Sequence, residues 1–266
     1  MHAESLREVP VISDSALARE IRDEVECAAR SDAKVLITGE RGSGKEIVAR
    51  VIHQRSQRWA APLATLSCAG VLDSQLESAL FGRVDRSFGF SAARENPGVF
   101  ESAPDGTVFL DEVGELSVRL QARLLRFLET GEIRRVGAER VTTRANVRLI
   151  AATNLDLVSQ MHAGRFSDAL YYRLNVIRIQ VPSLRNRAGD IPALLDHFLE
   201  KFARHHRMPA PRLSPEALTH LAAYRWPGNV RQLENVVERL VRRRAGTVVS
   251  VADLPPEVRS ARGPDA

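Results

Sequence analysis

The chain has 266 residues, 44% of them hydrophobic and 27% charged, with no run of eighteen apolar residues, which excludes a membrane-spanning helix. Its two cysteines, Cys27 and Cys68, are too few and too far apart for a disulfide framework or a cysteine metal site, and both read as small core residues. The formal charge of +5, mostly arginine spread along the chain, does not by itself decide for or against a nucleic-acid partner. With no secretion-signal pattern and no low-complexity tract, a soluble protein that stays inside the cell is expected.

In chain order, short apolar runs alternate with helical patterns. "KVLIT" (34–38), "PLATL" (62–66), "TVFLD" (107–111), "VRLIAAT" (147–153) and "VIRIQV" (176–181) read as strands. Four of them are apolar enough to be buried on both faces, as in a parallel sheet covered by helices. Between them, "LQARLLRFLETG" places Leu120, Leu124, Leu125 and Leu128 on one stripe, with Gly131 as the stop. The alternation predicts a three-layer α/β domain. From about residue 185 the strand signals cease. "GDIPALLDHFLEKFARHH" is helical, and "RHH" at its end reads as solvated. "LSPEALTHLAAY" begins with Ser214 as cap and Pro215 in the first turn. After the turn "WPGN", a last helix sets Val230, Leu233, Val237, Leu240 and Val241 on one face. The expected division is 1–183 for the α/β part, 184–258 for a small all-helical lid and 259–266 for a disordered tail.

Two motifs carry chemistry. "GERGSGKE" (39–46) follows a strand and opens a helix. Gly39, Gly42 and Gly44 let the backbone curl so that its N–H groups, with Glu40, Arg41 and Ser43 between them, face a phosphate. Lys45 then reaches the β- and γ-phosphates. Glu46 stands where Ser or Thr is usual, so magnesium must rely more on other ligands. The second motif, "TVFLDE", delivers Asp111 and Glu112 to the ligand-binding end of a strand. Asp111 suits magnesium, and Glu112 suits orienting and deprotonating an attacking water.

With these motifs and the strings "LESALFG", "GTVFLDEVGELSVRLQARLLRFLETGEIRRVG", "RLIAATN", "YYRLNV", "VPSLRNRAGDIPALL" and "WPGNVRQLENVVERL", residues 10–258 resemble the central AAA+ ATPase domain of bacterial enhancer-binding proteins, the activators of sigma-54 RNA polymerase. The resemblance implies a P-loop AAA+ domain with a helical lid that binds ATP and Mg2+. It implies that Thr153 and Asn154 act as a first sensor reading the γ-phosphate, and Arg231 as a second sensor on the lid. Arg173 would be a finger reaching into the next subunit of a hexameric or heptameric ring, and Val11 and Ile12 would pack against adenine. A cytoplasmic, bacterial location follows, with no membrane partner. DNA contact is expected only through domains outside this chain, because no helix-turn-helix follows residue 258.

The chain departs from the family pattern at four places. Ser167 stands where a second finger arginine is usual, with Arg165 two residues earlier. Ser67 replaces the asparagine that holds the catalytic glutamate until nucleotide is sensed. "VPVISDS" lacks a glycine at Ile12–Ser13. The sigma-54-contacting loop GAFTGA is replaced within "RSFGFSAARENP" (86–97), where one alignment keeps Phe88 and a shifted one keeps Phe90 and Ser91. The expected function is an ATP-hydrolysing ring that remodels RNA polymerase holoenzyme, with activity weakened by the missing arginine and asparagine. The alternative is a nucleotide-binding, weakly or non-hydrolysing regulator, a repressor or mixed-ring subunit, that does not engage sigma-54.

Overall fold

The computed structural model describes residues 16–85, 94–140 and 143–260, in two compact units. The residues expected at the adenine (Val11, Ile12), at the loop tip (Phe88, Phe90, Ser91) and in the tail beyond Ser260 lie outside the described residues. One unit comprises Asp23–Gly39 and Lys45–Gln180; the other comprises residues 16–22, Glu40–Gly44 and residues 181–260.

The larger unit contains helix α1 (Ala16–Ala29, from Asp23 on), β1 (Val35–Thr38), α2 (Lys45–Gln54), β2 (Leu63–Ser67), α3 (Asp73–Phe81), β3 (Arg83–Asp85) and β4 (Arg94–Asn96). It continues with α4 (Val99–Ser102), β5 (Thr107–Asp111), α5 (Val118–Thr130), β6 (Glu132–Ile133), β7 (Thr143–Arg144), β8 (Arg148–Thr153), α6 (Leu157–His162), α7 (Asp168–Leu174) and β9 (Ile177–Gln180). The five predicted strands form one all-parallel sheet in the order β2-β5-β8-β1-β9. The sequence pattern suggested four buried strands; β1, β5 and β8 are buried almost throughout, whereas none of β2 and only Ile179 of β9 is buried. These two are the sheet edges, where only one neighbour strand and less helix surface cover each residue.

Helix α5 packs its predicted stripe, but the buried set is Leu120, Gln121, Leu124 and Phe127, with Leu125 and Leu128 half-buried. Ser117 caps its start, and Gly131 ends it in the left-handed conformation at φ 69°. Leu120, Leu124 and Phe127 join Leu36, Phe81, Phe100, Val108, Leu110 and Leu170 in one core; each such side chain contributes about 2 kcal/mol by leaving water. Cys68 belongs to this core. Cys27 does not: Val25, Ala28 and Ala29 form the buried stripe of α1, and Cys27 falls on its exposed side.

The antiparallel pair β3–β4 flanks residues 86–93 in sequence. Its base is tight: a Cβ on Gly98 would lie 2.4 Å from the Gly82 nitrogen. Val84 donates to the Val136 carbonyl (3.0 Å) and Val136 to Gly82 (2.9 Å). An Arg135–Glu101 ion pair (2.6 Å) and the guanidinium of Arg123, 4.2 Å from the Phe81 ring centroid, close the same region.

The smaller unit carries α8 (Ile191–His206), β10 (Arg212–Leu213), α9 (Pro215–Ala223), α10 (Asn229–Arg244), β11 (Val248–Val249) and α11 (Pro256–Arg259). Ser214 caps α9 through Ala217 N–H (3.1 Å), as its sequence predicts. The α10 stripe is buried as expected, joined by Val236, against Leu194, Leu195, Phe198 and Trp226. The region is helical except for one short parallel pair, β10–β11.

Candidate functional site

Because the sheet is parallel, β1, β5 and β8 all end at the same edge, with Thr38 opposite Thr153 and Ser67 opposite Asp111. Lys45, in the first turn of α2, is 6% exposed. Its Nζ donates to the Gly39 carbonyl (3.0 Å) and to Glu112 Oε1 (3.2 Å). Glu112 adopts left-handed backbone angles, φ 57° and ψ 48°, uncommon for a residue with a side chain and a form of local strain that clusters at functional sites. Its other oxygen, Oε2, accepts from the Asn154 backbone N–H at 2.8 Å. Thus both carboxylate oxygens are engaged.

Asp111 is half-buried, and its Oδ1 accepts from Glu112 N–H at 3.1 Å. Burial first, then the neighbouring Glu112 carboxylate, push its carboxyl above the ordinary range, while Lys45 opposes them. Glu46 adds to this negative field and is itself paired with Arg50 at 2.6 Å. Cys68 donates its backbone N–H to the Asp111 carbonyl (2.8 Å); burial, Asp111 and Glu112 push its thiol up to about 12.

Thr153 is fully buried, its hydroxyl accepting from Leu155 N–H (3.1 Å), while the side-chain oxygen of Asn154 is buried without a protein partner. Ser67 is exposed at the end of β2 and makes no hydrogen bond to Glu112. Lys45 and the Asn154 backbone do the holding.

Arg173 lies apart from this group. It is exposed on α7, where its Nη2 donates to the Leu128 carbonyl (3.2 Å). Its charge helps burial to lower the ammonium of Lys34, which precedes β1 and therefore sits at the opposite end of that strand from Gly39. Ser167 is the N-cap of α7, accepting from Leu170 N–H, and Arg165 bonds Gln160 at 2.7 Å.

In the smaller unit, Glu40–Gly44 are held by residues that the sequence reading left without roles. Asn229, fully buried at φ 53°, accepts from Leu184 N–H (2.7 Å) and donates to Glu40 Oε2 (3.0 Å) and to the Arg41 carbonyl (3.1 Å). Arg185 bonds the same Glu40 carboxylate (2.9 Å); these two partners hold its pKa down at about 2. Arg187 donates to the Ser43 carbonyl (2.6 Å), and the Ser43 hydroxyl is buried without a partner. Gly42 has φ +74°, and a Cβ there would come within 2.5 Å of the Gly228 carbonyl oxygen. Arg231 donates its backbone N–H to Gly42 (3.3 Å) and leaves its guanidinium exposed. The missed residues, Arg185, Arg187 and Asn229, all lie in "SLRNRAGD" and "WPGN", strings distinctive enough to mark the family but silent on which atoms touch.

A glycine-rich loop between a strand and a helix, an acidic pair two strands away across β8, and a helical C-terminal unit define a P-loop domain of the AAA+ class with a lid. The profile of the Sigma-54 interaction domain matches residues 11–180, and that of the AAA+ ATPase lid domain matches residues 185–266. The chain belongs to the Sigma-54 interaction domain family. It is 46% identical to the transcriptional regulatory protein ZraR of Escherichia coli K12 over 92% of this chain and 55% of that one. It is 42% identical to the regulatory protein AtoC of the same organism over 94% of this chain and 54% of that one. A crystal structure of NtrX from Brucella abortus in complex with ATP superposes with a TM-score of 0.87 at 32% identity, covering 96% of this chain and 56% of that one. The chain spans about half the length of the curated relatives it matches. Among the described residues no helix is long and apolar enough to cross a membrane.

Proposed function

We propose that this chain is the ATP-hydrolysing motor of a sigma-54-dependent transcription regulator, divided near residue 183 into a nucleotide-binding part and a lid, and working as a ring in the bacterial cytoplasm. The observation that supports it most is the buried Lys45–Glu112 pair, 3.2 Å apart, at the ligand end of a parallel sheet. The pair keeps a buried ammonium charged at that end of the sheet, where a phosphate could accept from it. A phosphate accepting from Lys45 would release Oε1 of Glu112.

In this reading Gly39, Glu40, Arg41, Gly42, Ser43, Gly44, Lys45 and Glu46 hold the triphosphate of ATP. In the larger unit the buried unpartnered oxygen of Asn154 suits a site with a polar atom still to satisfy. Asp111 would hold Mg2+ directly or through water, and its hard oxygens fit that ion. When bound, the ion supplies neutralisation of charge on the phosphate oxygens. Glu112 orients the attacking water and takes its proton. Thr153 and Asn154 read the γ-phosphate, and Arg231 contacts the nucleotide from the lid. Arg173 acts on a neighbour's site. Its place toward the far end of β1 from its own Gly39 supports action in trans, and such an arginine is worth about 10³–10⁵ in rate. NtrX, solved with ATP and with ADP, is a related protein that binds both nucleotides.

A second reading, a nucleotide-holding regulator that turns over poorly and leaves sigma-54 alone, is favoured by Ser167, a helix cap where a finger arginine is usual, and by Ser67, which does not reach Glu112. Sigma-54 holoenzyme binding separates the two. The motor reading expects a stable complex on native gels with ADP–aluminium fluoride and none with ADP. No complex in either state would refute sigma-54 as the client.

A further inference from the structure

Gln121 is fully buried on the apolar face of α5, where a polar side chain needs a reason. Both polar atoms of its amide are engaged. Nε2 donates to the Leu116 carbonyl (2.8 Å) and to the Arg165 carbonyl (2.9 Å), while Oε1 accepts from Ser167 N–H (2.8 Å). Leu116 closes the single turn that follows Glu112, through Glu115 N–H to Glu112 O (3.0 Å) and Leu116 N–H to Val113 O (3.3 Å). Ser167 is the N-cap of α7, and Arg173 lies in that helix's last turn. One amide therefore joins the turn after the acidic pair to the residue from which the finger helix starts.

We propose that Gln121 is a positioning residue that fixes α7 and so sets where Arg173 is offered to the neighbouring subunit. The inference rests on the ring reading given above. Two of its three bonds go to the 165–167 segment and only one to the turn after Glu112, so its loss should damage the finger a subunit gives more than the site it keeps. With Ser167 in place of a second arginine, more of the finger's work falls on where Arg173 is placed. A misplacement of about 1 Å costs about 10²-fold in rate.

The test is subunit mixing. Glu112→Gln supplies a finger without a working site, and Arg173→Ala supplies a site without a finger. At random 1:1 mixing of these two, about a quarter of the head-to-tail interfaces pair an intact site with an intact finger. Restored turnover in that control establishes action in trans, and no restoration would refute the ring reading and this proposal with it. Gln121→Met alone should turn over about 10²-fold more slowly than wild type. Mixed with Glu112→Gln it should recover to the control level, and mixed with Arg173→Ala it should recover nothing. A merely structural defect would not give this one-sided rescue. Recovery with Arg173→Ala, wild-type turnover alone, or no recovery with either partner from a folded Gln121→Met would each overturn the proposal. Gln121→Asn, which keeps an amide there but shortens it by one methylene and so strains the bonds to the 165–167 segment, should show the same one-sided rescue with a smaller drop. It decides the matter if Gln121→Met does not fold.

Discussion

Asn229→Ala is expected to destabilise the smaller unit far more than removal of one polar side chain usually does. The Leu184 N–H that Asn229 satisfies at 2.7 Å belongs to a fully buried residue, and leaving it without an acceptor costs about 1–3 kcal/mol. The Arg41 carbonyl and the Glu40 carboxylate lose a donor as well, worth about 1 kcal/mol together because Arg185 still holds Glu40. Residue 229 also sits at φ 53°, where asparagine is tolerated and alanine costs about 1 kcal/mol more. The expected loss is about 4 kcal/mol, or a fall of about 2 M in the urea midpoint. Trp226, fully buried in the same unit, reports that transition by fluorescence, whereas Trp59 is 67% exposed and changes little. Asn229→Gly removes the same hydrogen bonds without the backbone strain and should be milder by about 1 kcal/mol. Losses below about 1 kcal/mol for both variants would refute the reasoning, since a buried N–H would then have been left unsatisfied at no cost.

The Glu40 carboxylate gives a pH signature. Its pKa falls from the usual 4.5 to about 2 on folding, held first by Arg185 and then by Asn229. A depressed carboxyl stabilises above the unfolded value, and that contribution is lost as pH falls from 4.5 towards 2. Because the side chain is 43% exposed, solvent screens the effect to about 1 kcal/mol. Urea titrations at stepwise lower pH should show Arg185→Ala losing less stability than wild type over that window, and identical slopes would contradict the assignment. The cysteines should separate cleanly. Cys68, buried with its thiol pushed up to about 12, should resist alkylation in the native protein while the exposed Cys27 reacts. Mass spectrometry should find one modified site folded and two unfolded; native modification of Cys68 would contradict its burial.

The sheet was legible because parallel strands covered on both faces are written as apolar runs, and all five were found within a residue or two. The Lys45 loop and the Asp111–Glu112 pair were legible because their chemistry demands those residue types at a strand end. Burial at the edges was not, since β2 and β9 have apolar residues like the others and only topology exposes them. Cys27 failed for a simpler reason: apolar neighbours in sequence do not share a helix face. Asn229 and Gln121 read as ordinary polar residues because most of their partners are backbone groups more than forty positions away. Gln121 had left a trace, however, as a polar residue adjoining Leu120 and three positions before Leu124 on the α5 stripe. Nothing in the sequence paired Arg185 with Glu40, 145 positions apart.

The central claim is that Lys45, Asp111 and Glu112 form a working site that a neighbour's Arg173 completes. Steady-state ATP hydrolysis against protein concentration, with Glu112→Gln and Arg173→Ala alongside, tests it most directly. The account predicts specific activity that rises with concentration as rings assemble, and turnover abolished by either substitution although ATP still binds. ATP binding with no turnover at any concentration, or turnover indifferent to both concentration and Arg173, would contradict it.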